Sequence, residues 1–392
     1  MPSITATFRI VSPMYLAGAE QTTAALRPPS IKGALRFWWR ALNWSRRWDA
    51  APAQLSAQGR EHAALKSLHQ EEARLFGLAA TEGGGGQGVF LLTANSQEVL
   101  KSSDQPVNLY LMGQGLAERG KPTRKAIEDG KSFTVLLRFK PKTTAEDQKS
   151  VADALYAFGL LGALGSRARH GLGSVALTDW QGDGSAYAVP TKRADYILAL
   201  KNLLPPSLST ALPPFSAFSA LTRMDISQTA KAVNGLLNAV GGAQQMYRSY
   251  GQGTNGSHHV NGKPAEQNFK DDHDLVYDAA YGKAPKNAPR RVVFGLPHNY
   301  FFGSTNKNVA VNYMPGGKDA RRASPLLLHC HYLSDEAEGS QYLAVHTLLK
   351  ARFLPDGAKI NVGRTPCPVN VDWKDIENYL IKKFQHAERI HG

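Results

Sequence analysis

Four cations, Arg27, Lys32, Arg36 and Arg40, stand within the stretch Leu-Arg-Pro-Pro-Ser-Ile-Lys-Gly-Ala-Leu-Arg-Phe-Trp-Trp-Arg-Ala-Leu (26–42). Wound as a helix from Ile31 at about 100° per residue, Lys32, Arg36 and Arg40 share one face, and Ile31, Leu35, Trp38 and Leu42 form the adjoining core face. Trp39 lies on the border between them. No acidic residue occurs between Glu20 and Asp49 to neutralise the stripe. Surface lysine and arginine attract phosphates, and an aromatic ring beside them offers a base a face to stack on. Pro28, Pro29 and Ser30 suit a helix start, with Ser30 accepting a hydrogen bond from a first-turn amide; the exposed amides there suit a phosphate. The ordinary alternative is a solvated basic face with no ligand.

A second cationic stretch, Gly162-Ala-Leu-Gly-Ser-Arg-Ala-Arg-His-Gly-Leu-Gly-Ser (162–174), sets Arg167, Arg169 and His170 among Gly165, Gly171 and Gly173. It lacks the Gly-Lys-Ser/Thr ending of a P-loop. Residues 171–176 satisfy a loose G-x-G-x-x-A pattern, but a helix precedes them and a strand follows, the reverse of a dinucleotide site. Closely spaced glycines permit left-handed backbone and close approach to a ligand, so the arginines and amides suit an extended ribose-phosphate backbone. A tight connection carrying incidental arginines is the bland reading. An unperturbed imidazole titrates near neutrality, and His170 is the one candidate general acid for RNA cleavage, against the plainer reading of a hydrogen-bonding or solvent-exposed loop histidine.

Two segments suggest metal chemistry without completing it. Asp271-Asp-His-Asp (271–274) lies in a polar stretch and reads as a solvated acidic loop. His329-Cys-His (329–331) puts both histidines on one face of a strand, but zinc ordinarily takes four ligands at recognisable spacing, and neither CxxC nor HExxH occurs. A buried cysteine flanked by exposed histidines is the expectation, with no metal and no cofactor.

The elements that must hold these residues follow from periodicity. Residues 4–10 alternate as a strand; 31–42 and 61–76 follow as helices; 83–86 is a glycine break. Strands at 89–93 and 133–139, a helix at 147–164 and a strand at 174–180 complete a βαββαβ order, that of a ferredoxin-like domain. Residues 182–185 are a boundary. Beyond it, 194–204 and 226–246 read as helices, 291–294, 326–333 and 343–353 as strands, and Trp373, Ile376, Leu380 and Phe384 as an amphipathic closing helix. Residues 251–289, rich in Gly, Asn, His and Lys, read as a long mobile insertion.

The 392 residues favour two domains, and a formal charge of +14 favours a polyanionic partner. Cys330 and Cys367 are too few for a secreted disulfide scaffold. No apolar run reaches the roughly 18 residues that span a bilayer, and the N-terminus lacks a signal-peptide pattern, so the expected setting is the cytoplasm, with no membrane partner.

The proline-serine-lysine-glycine helix start and the arginine-bearing glycine loop together resemble the RAMP superfamily of CRISPR proteins. More narrowly, residues 26–40 resemble the signature of the first subunits of type III-B Cmr effector complexes, as do Glu-Ala-Arg-Leu-Phe-Gly (72–77) and Arg-Arg-Ala-Ser-Pro-Leu (321–326). The resemblance implies two ferredoxin-like domains, 1–184 and 185–392, the second with the insertion at about 251–289. It implies a non-catalytic subunit towards the 3′ end of a CRISPR guide RNA that helps bind complementary target RNA beside other Cmr subunits. It implies RNA contact at Arg27, Ser30, Lys32, Arg36 and Arg40, at Arg167 and Arg169, and at Arg321 and Arg322; the residue chemistry adds Trp39, Gly165, Gly171 and Gly173. A metal-independent endoribonuclease and a purely structural scaffold subunit are the alternatives.

Overall fold

A computed structural model describes residues 1–18, 23–81, 84–96, 100–103, 107–182, 187–254, 257–335 and 339–392. The first sheet contains β1 (Ser3–Ile10), β2 (Phe90–Asn95), β3 (Ser132–Phe139) and β4 (Val175–Gly182) in the order β4-β1-β3-β2. Its three pairings are antiparallel. Helices α1 (Pro28–Ala50) and α2 (Ala57–Phe76) separate β1 from β2, and α3 (Ala145–Leu161) separates β3 from β4. β1 buries Ile4, Ala6, Phe8 and Ile10, the period-2 set read from its sequence. Phe8 meets Phe133 and Phe158 at ring centroid distances of 5.5 and 5.2 Å. α3 starts where the Thr144 side chain accepts the Asp147 amide at 3.1 Å, with Glu146 and Asp147 in its first turn complementing the helix dipole.

The start of α1 differs from the expectation. The helix begins at Pro28, with Arg27 in extended geometry at the N-cap and no side-chain cap. Two prolines carry the helical φ and have no N–H to satisfy, so the first turn needs no hydroxyl acceptor. Ser30 therefore sits inside the first turn, its amide donating to the Arg27 carbonyl at 3.0 Å.

After α4 (Arg193–Leu203), a second sheet is built from β5 (Arg223–Ala230), β6 (Leu326–Asp335), β7 (Gly339–Leu348) and β8 (Glu388–His391), in the order β6-β7-β5-β8. α5 (Val233–Arg248) follows β5. The single helix expected over 226–246 is thus a strand followed by a helix: residues 223–227 are all buried, and β5 pairs with both β7 and β8. A run covered on both faces has no period to read. Of the expected boundary at 182–185, Asp183, Gly184 and Ser185 lie outside the described residues, as does Gly83 of the glycine break.

The chain divides into two compact units, 1–238 with 327–349 and 388–392, and 239–326 with 350–387. The second unit holds α6 (Lys270–Ala280), α7 (Lys374–Lys383) and a four-stranded sheet ordered His298–Phe302, Lys307–Tyr313, Lys359–Val362, Thr365–Pro368. Its core joins Val276, Val292, Tyr300, Val311, Ile360 and Val362. Residues 251–289 are accordingly not a bare loop. Their few apolar groups are supplemented by stacked rings, Tyr250 on His273 at 3.6 Å and Tyr277 against Phe302 at 5.1 Å, which bury surface that aliphatic counting misses. Residues 290–294 form a 3-10 turn rather than a strand, because the Asp272 carboxylate accepts the Arg290 and Arg291 amides at 2.9 and 2.7 Å. α7 buries Ile376 and Leu380 as read, and β8 rather than the helix closes the chain.

Candidate nucleic-acid interface

The stripe on α1 is half-exposed at Lys32, Arg36 and Arg40, as its helical spacing requires. Its charge is not free throughout. Glu72, whose side chain is 7% exposed, accepts from Arg36 Nε and Arg40 at 2.6 Å each. One carboxylate from α2 therefore engages two of the three cations, and no count along α1 alone could disclose it. Lys32 keeps no acidic partner among the described residues. Burial first, then the neighbouring Arg36 and Lys140 charges, push its ammonium below the usual lysine range. Arg27 is exposed at the N-cap.

Trp39 belongs to the interior. Its ring is 0% exposed, its Nε1 donates to Ser150 Oγ at 2.8 Å, and it meets Phe76 edge-on. With α2 on one side and α3 on the other, the border position is roofed over and no ring face is open to a base. Trp38 is core as read, stacked 6.2 Å from Phe218.

The glycine loop presents Ser166 to His170 as a half-exposed tip. Below it, the Ser12 hydroxyl donates to the Gly171 carbonyl at 2.6 Å and accepts the Ser174 amide at 2.9 Å. Cys330 N–H donates to Ser174 Oγ at 3.0 Å, and Leu328 N–H to the Arg169 carbonyl at 3.0 Å. β6 thus staples the loop from beneath. Gly165, Gly171 and Gly173 have φ of +90°, +79° and +67°. A Cβ at Gly165 would lie 2.6 Å from the Tyr15 carbonyl oxygen, and one at Gly173 2.0 Å from that of Leu164. The backbone these glycines admit is the protein's own, and Gly171 and Gly173 are buried; their part in any ligand contact is to shape the tip.

At that tip Arg167 adopts φ +62°, sparsely populated for a residue with a side chain, and its guanidinium packs against Gly113. Arg169 turns to α1, its guanidinium 5.3 Å from the Phe37 ring and 3.3 Å from Ser216 Oγ. Arg169 and α1 are therefore brought together, while Arg167 points to a different neighbour. His170 lies beside them, its segment bridging to Leu328.

The His329-Cys330-His331 expectation fails on exposure. All three are buried, at 2%, 0% and 0%. β6 is buried on both faces, and on the face the two histidines share His331 stacks on Tyr196 at 3.8 Å and His329 Nδ1 lies 3.1 Å from the Gly162 carbonyl. That carbonyl only accepts, so Nδ1 donates, and the 3.2 Å contact from His329 Nε2 to His331 Nδ1 is donated by His331. Burial holds His329 near a pKa of about 3 and His331 well below the histidine range. The described residues contain no group of three or more His, Cys, Asp or Glu able to hold a metal. In the second unit Arg321 is exposed, whereas Arg322 donates to the Arg352 carbonyl at 3.1 Å and lies 5.6 Å from the Phe353 ring, an internal packing role.

Arg138 and Lys140 are two further cations that no sequence motif singles out. Both are exposed at the end of β3, neither has an acidic partner among the described residues, and both face the groove that Lys32 lines. Their signal was an alternating strand carrying a cation on its outward position, which many strands share.

Residues 7–176 match the family model of the RAMP superfamily. Over its whole length it is similar in fold to Cmr1 from Pyrococcus furiosus in its apo form, at 16% identity and TM-score 0.55, covering 100% of this chain and 99% of that one. A chain of the type III-B Cmr-beta complex bound to cognate target RNA shares 11% identity with a TM-score of 0.50, covering 98% of this chain and 99% of that one. No curated protein matches the sequence. No helix among the described residues is long and apolar enough to cross a membrane.

Proposed function

We propose that the chain is a non-catalytic RNA-binding subunit of a type III-B CRISPR Cmr effector complex, placed towards the guide 3′ end and helping to hold target RNA beside other Cmr subunits in the cytoplasm. In this reading the two sheets, each with the order expected of βαββαβ connectivity, are two ferredoxin-like domains meeting near residue 184. Base pairing between guide and target supplies sequence specificity, and this subunit grips backbone and shape through cations. The observation that carries the reading is that the RAMP-matched segment contains both cationic elements, with Arg169 laid on Phe37 of α1. The fold shared with Cmr1 supports the placement in a Cmr complex.

The test is crosslinking of guide and target RNA in the reconstituted particle. Crosslinks at residues 27–40 and 166–170 are expected, together with weaker target capture and a shallower salt slope for the folded Arg167→Ala/Arg169→Ala protein. Unchanged capture and slope remove the loop from the interface. RNA cleavage by the purified chain without metal, abolished by His170→Ala, would replace this reading with an endoribonuclease. Absence of any RNA crosslink in the particle would leave a scaffold subunit.

A further inference from the structure

A groove of about 620 Å³ opens between the start of α1, the end of β3 and the hairpin Gly77–Thr81/Gly84–Gln87. Its volume falls within the ~300–1,000 Å³ usual for small-ligand sites. Lys32, Arg36, Arg138 and Lys140 line it, and among the described residues no aspartate or glutamate does. Apart from Gln87, its remaining side chains are apolar: Leu78 and Leu91 are 41% and 61% exposed, over a floor of Phe76 and Phe90 packed edge-on at 5.5 Å. Lys32 Nζ stands 5.6 Å from the Phe90 ring. At the rim, a Cβ on Gly86 would meet nothing within 4 Å, leaving open backbone.

Two properties coincide here that a solvated basic face does not combine. Four cations converge on a concavity with no lining carboxylate among the described residues, and large apolar side chains stay exposed between them. A group with anionic oxygens on one side and a flat apolar ring on the other satisfies both, whereas an acidic peptide leaves the apolar floor wet. We propose that this groove receives a single splayed-out nucleotide of single-stranded RNA, its base against Leu78, Leu91 and the Phe90 edge and its flanking phosphates on Lys32, Arg138 and Lys140. Arg36, tied to Glu72, walls the groove. Single-stranded RNA is characteristically read by unstacked bases held in such apolar sites. The proposal rests on the RNA-binding reading above and adds a base-binding site remote from the Arg167–Arg169 tip in sequence.

The test uses the full chain, a labelled 12-nucleotide RNA and an abasic ribose-phosphate strand of equal length. Arg138→Gln/Lys140→Gln, which alters two exposed side chains, is expected to weaken RNA binding about tenfold and to reduce the log–log salt slope by about 1.4, two single-strand phosphate contacts. The charge-matched control Lys192→Gln/Lys201→Gln, on surface outside the groove, should change affinity less than about twofold. The wild-type protein should prefer RNA over the abasic strand, Leu91→Asp should erase that preference, and 4-thiouridine RNA should crosslink to the peptides bearing Leu78 or Leu91. RNA binding that persists without a groove crosslink, or with equal affinity for the abasic strand, overturns the groove and leaves the RNA-binding reading intact. Loss of assembly with another Cmr subunit in the Gln double variant, with RNA affinity unchanged, assigns the groove to a protein partner and overturns the proposal. No RNA binding in any arm overturns both.

Discussion

At the scale of single residues, the type of a side chain and its availability are separate facts. Arg36 and Arg40 are cations in sequence, yet Glu72 holds both, and a carboxylate 7% exposed between two guanidinium groups is stable only while both remain. Glu72→Gln is expected to lower the unfolding free energy by about 1–3 kcal/mol, discounted for the partial exposure of the arginines. It should also tighten RNA binding about fivefold at about 0.1 M salt, as one more cation becomes open to phosphate. Urea denaturation and a binding titration check the two opposite shifts. Trp39 makes the same point with an aromatic: helical spacing places it within one position of the core face, and whether a border ring faces water depends on which helices arrive beside it.

At the scale of elements, the decisive structure is β6 and what it closes. His329 and His331 form a buried donor chain ending at the Gly162 carbonyl, and His346 on the neighbouring β7 lies 2.7 Å from Ser227 Oγ. Burial lowers the pKa of each, to about 3 for His329 and His346. The sign follows: with the folded value below the unfolded value of about 6.5, the unfolded chain binds more protons, so stability is full above pH 6.5 and falls as pH drops towards 3. At pH 5 the loss is on the order of 2 kcal/mol per histidine. Chemical denaturation at pH 8 and pH 5 should show the drop, and His346→Gln, which keeps a polar side chain beside Ser227, should flatten it. Stability equal at the two pH values would refute the buried, neutral state. β1 and β3 were legible because each alternates between a buried and a wetter face, and α3 because its apolar run is too long for a strand. β5 and the 3-10 turn at 290–294 were not, since two-sided burial erases alternation and a tertiary carboxylate, Asp272, set the turn; β6 was legible as a strand, but the burial of its histidines was not.

At the scale of the whole molecule, the charge of +14 dictates how any polyanion binds. If Arg27, Lys32, Arg138 and Lys140 each meet a phosphate, affinity for single-stranded RNA should fall about 50-fold between roughly 50 and 200 mM salt, the fourth-power contact number scaled for single strands. Fluorescence anisotropy across that range checks it; a flat response would mean that the excess charge serves folding or protein contacts instead. The sequence alone determined that the protein is basic and globular, that α1 carries a cationic stripe beside a core face, that a glycine-punctuated turn bears two arginines, and that the first strands and helices alternate in βαββαβ order. These are local properties, fixed by residue type and by periods of 2 and 3.6. Tertiary structure alone decided which cations stay unpaired, that Trp39 and the two histidines of β6 are dry, that the loop glycines admit the chain's own backbone, and that Lys32, Arg138 and Lys140 share a groove. Most of those depend on residues more than thirty positions apart, where Coulomb attraction and desolvation act through space and leave no periodic trace along the chain.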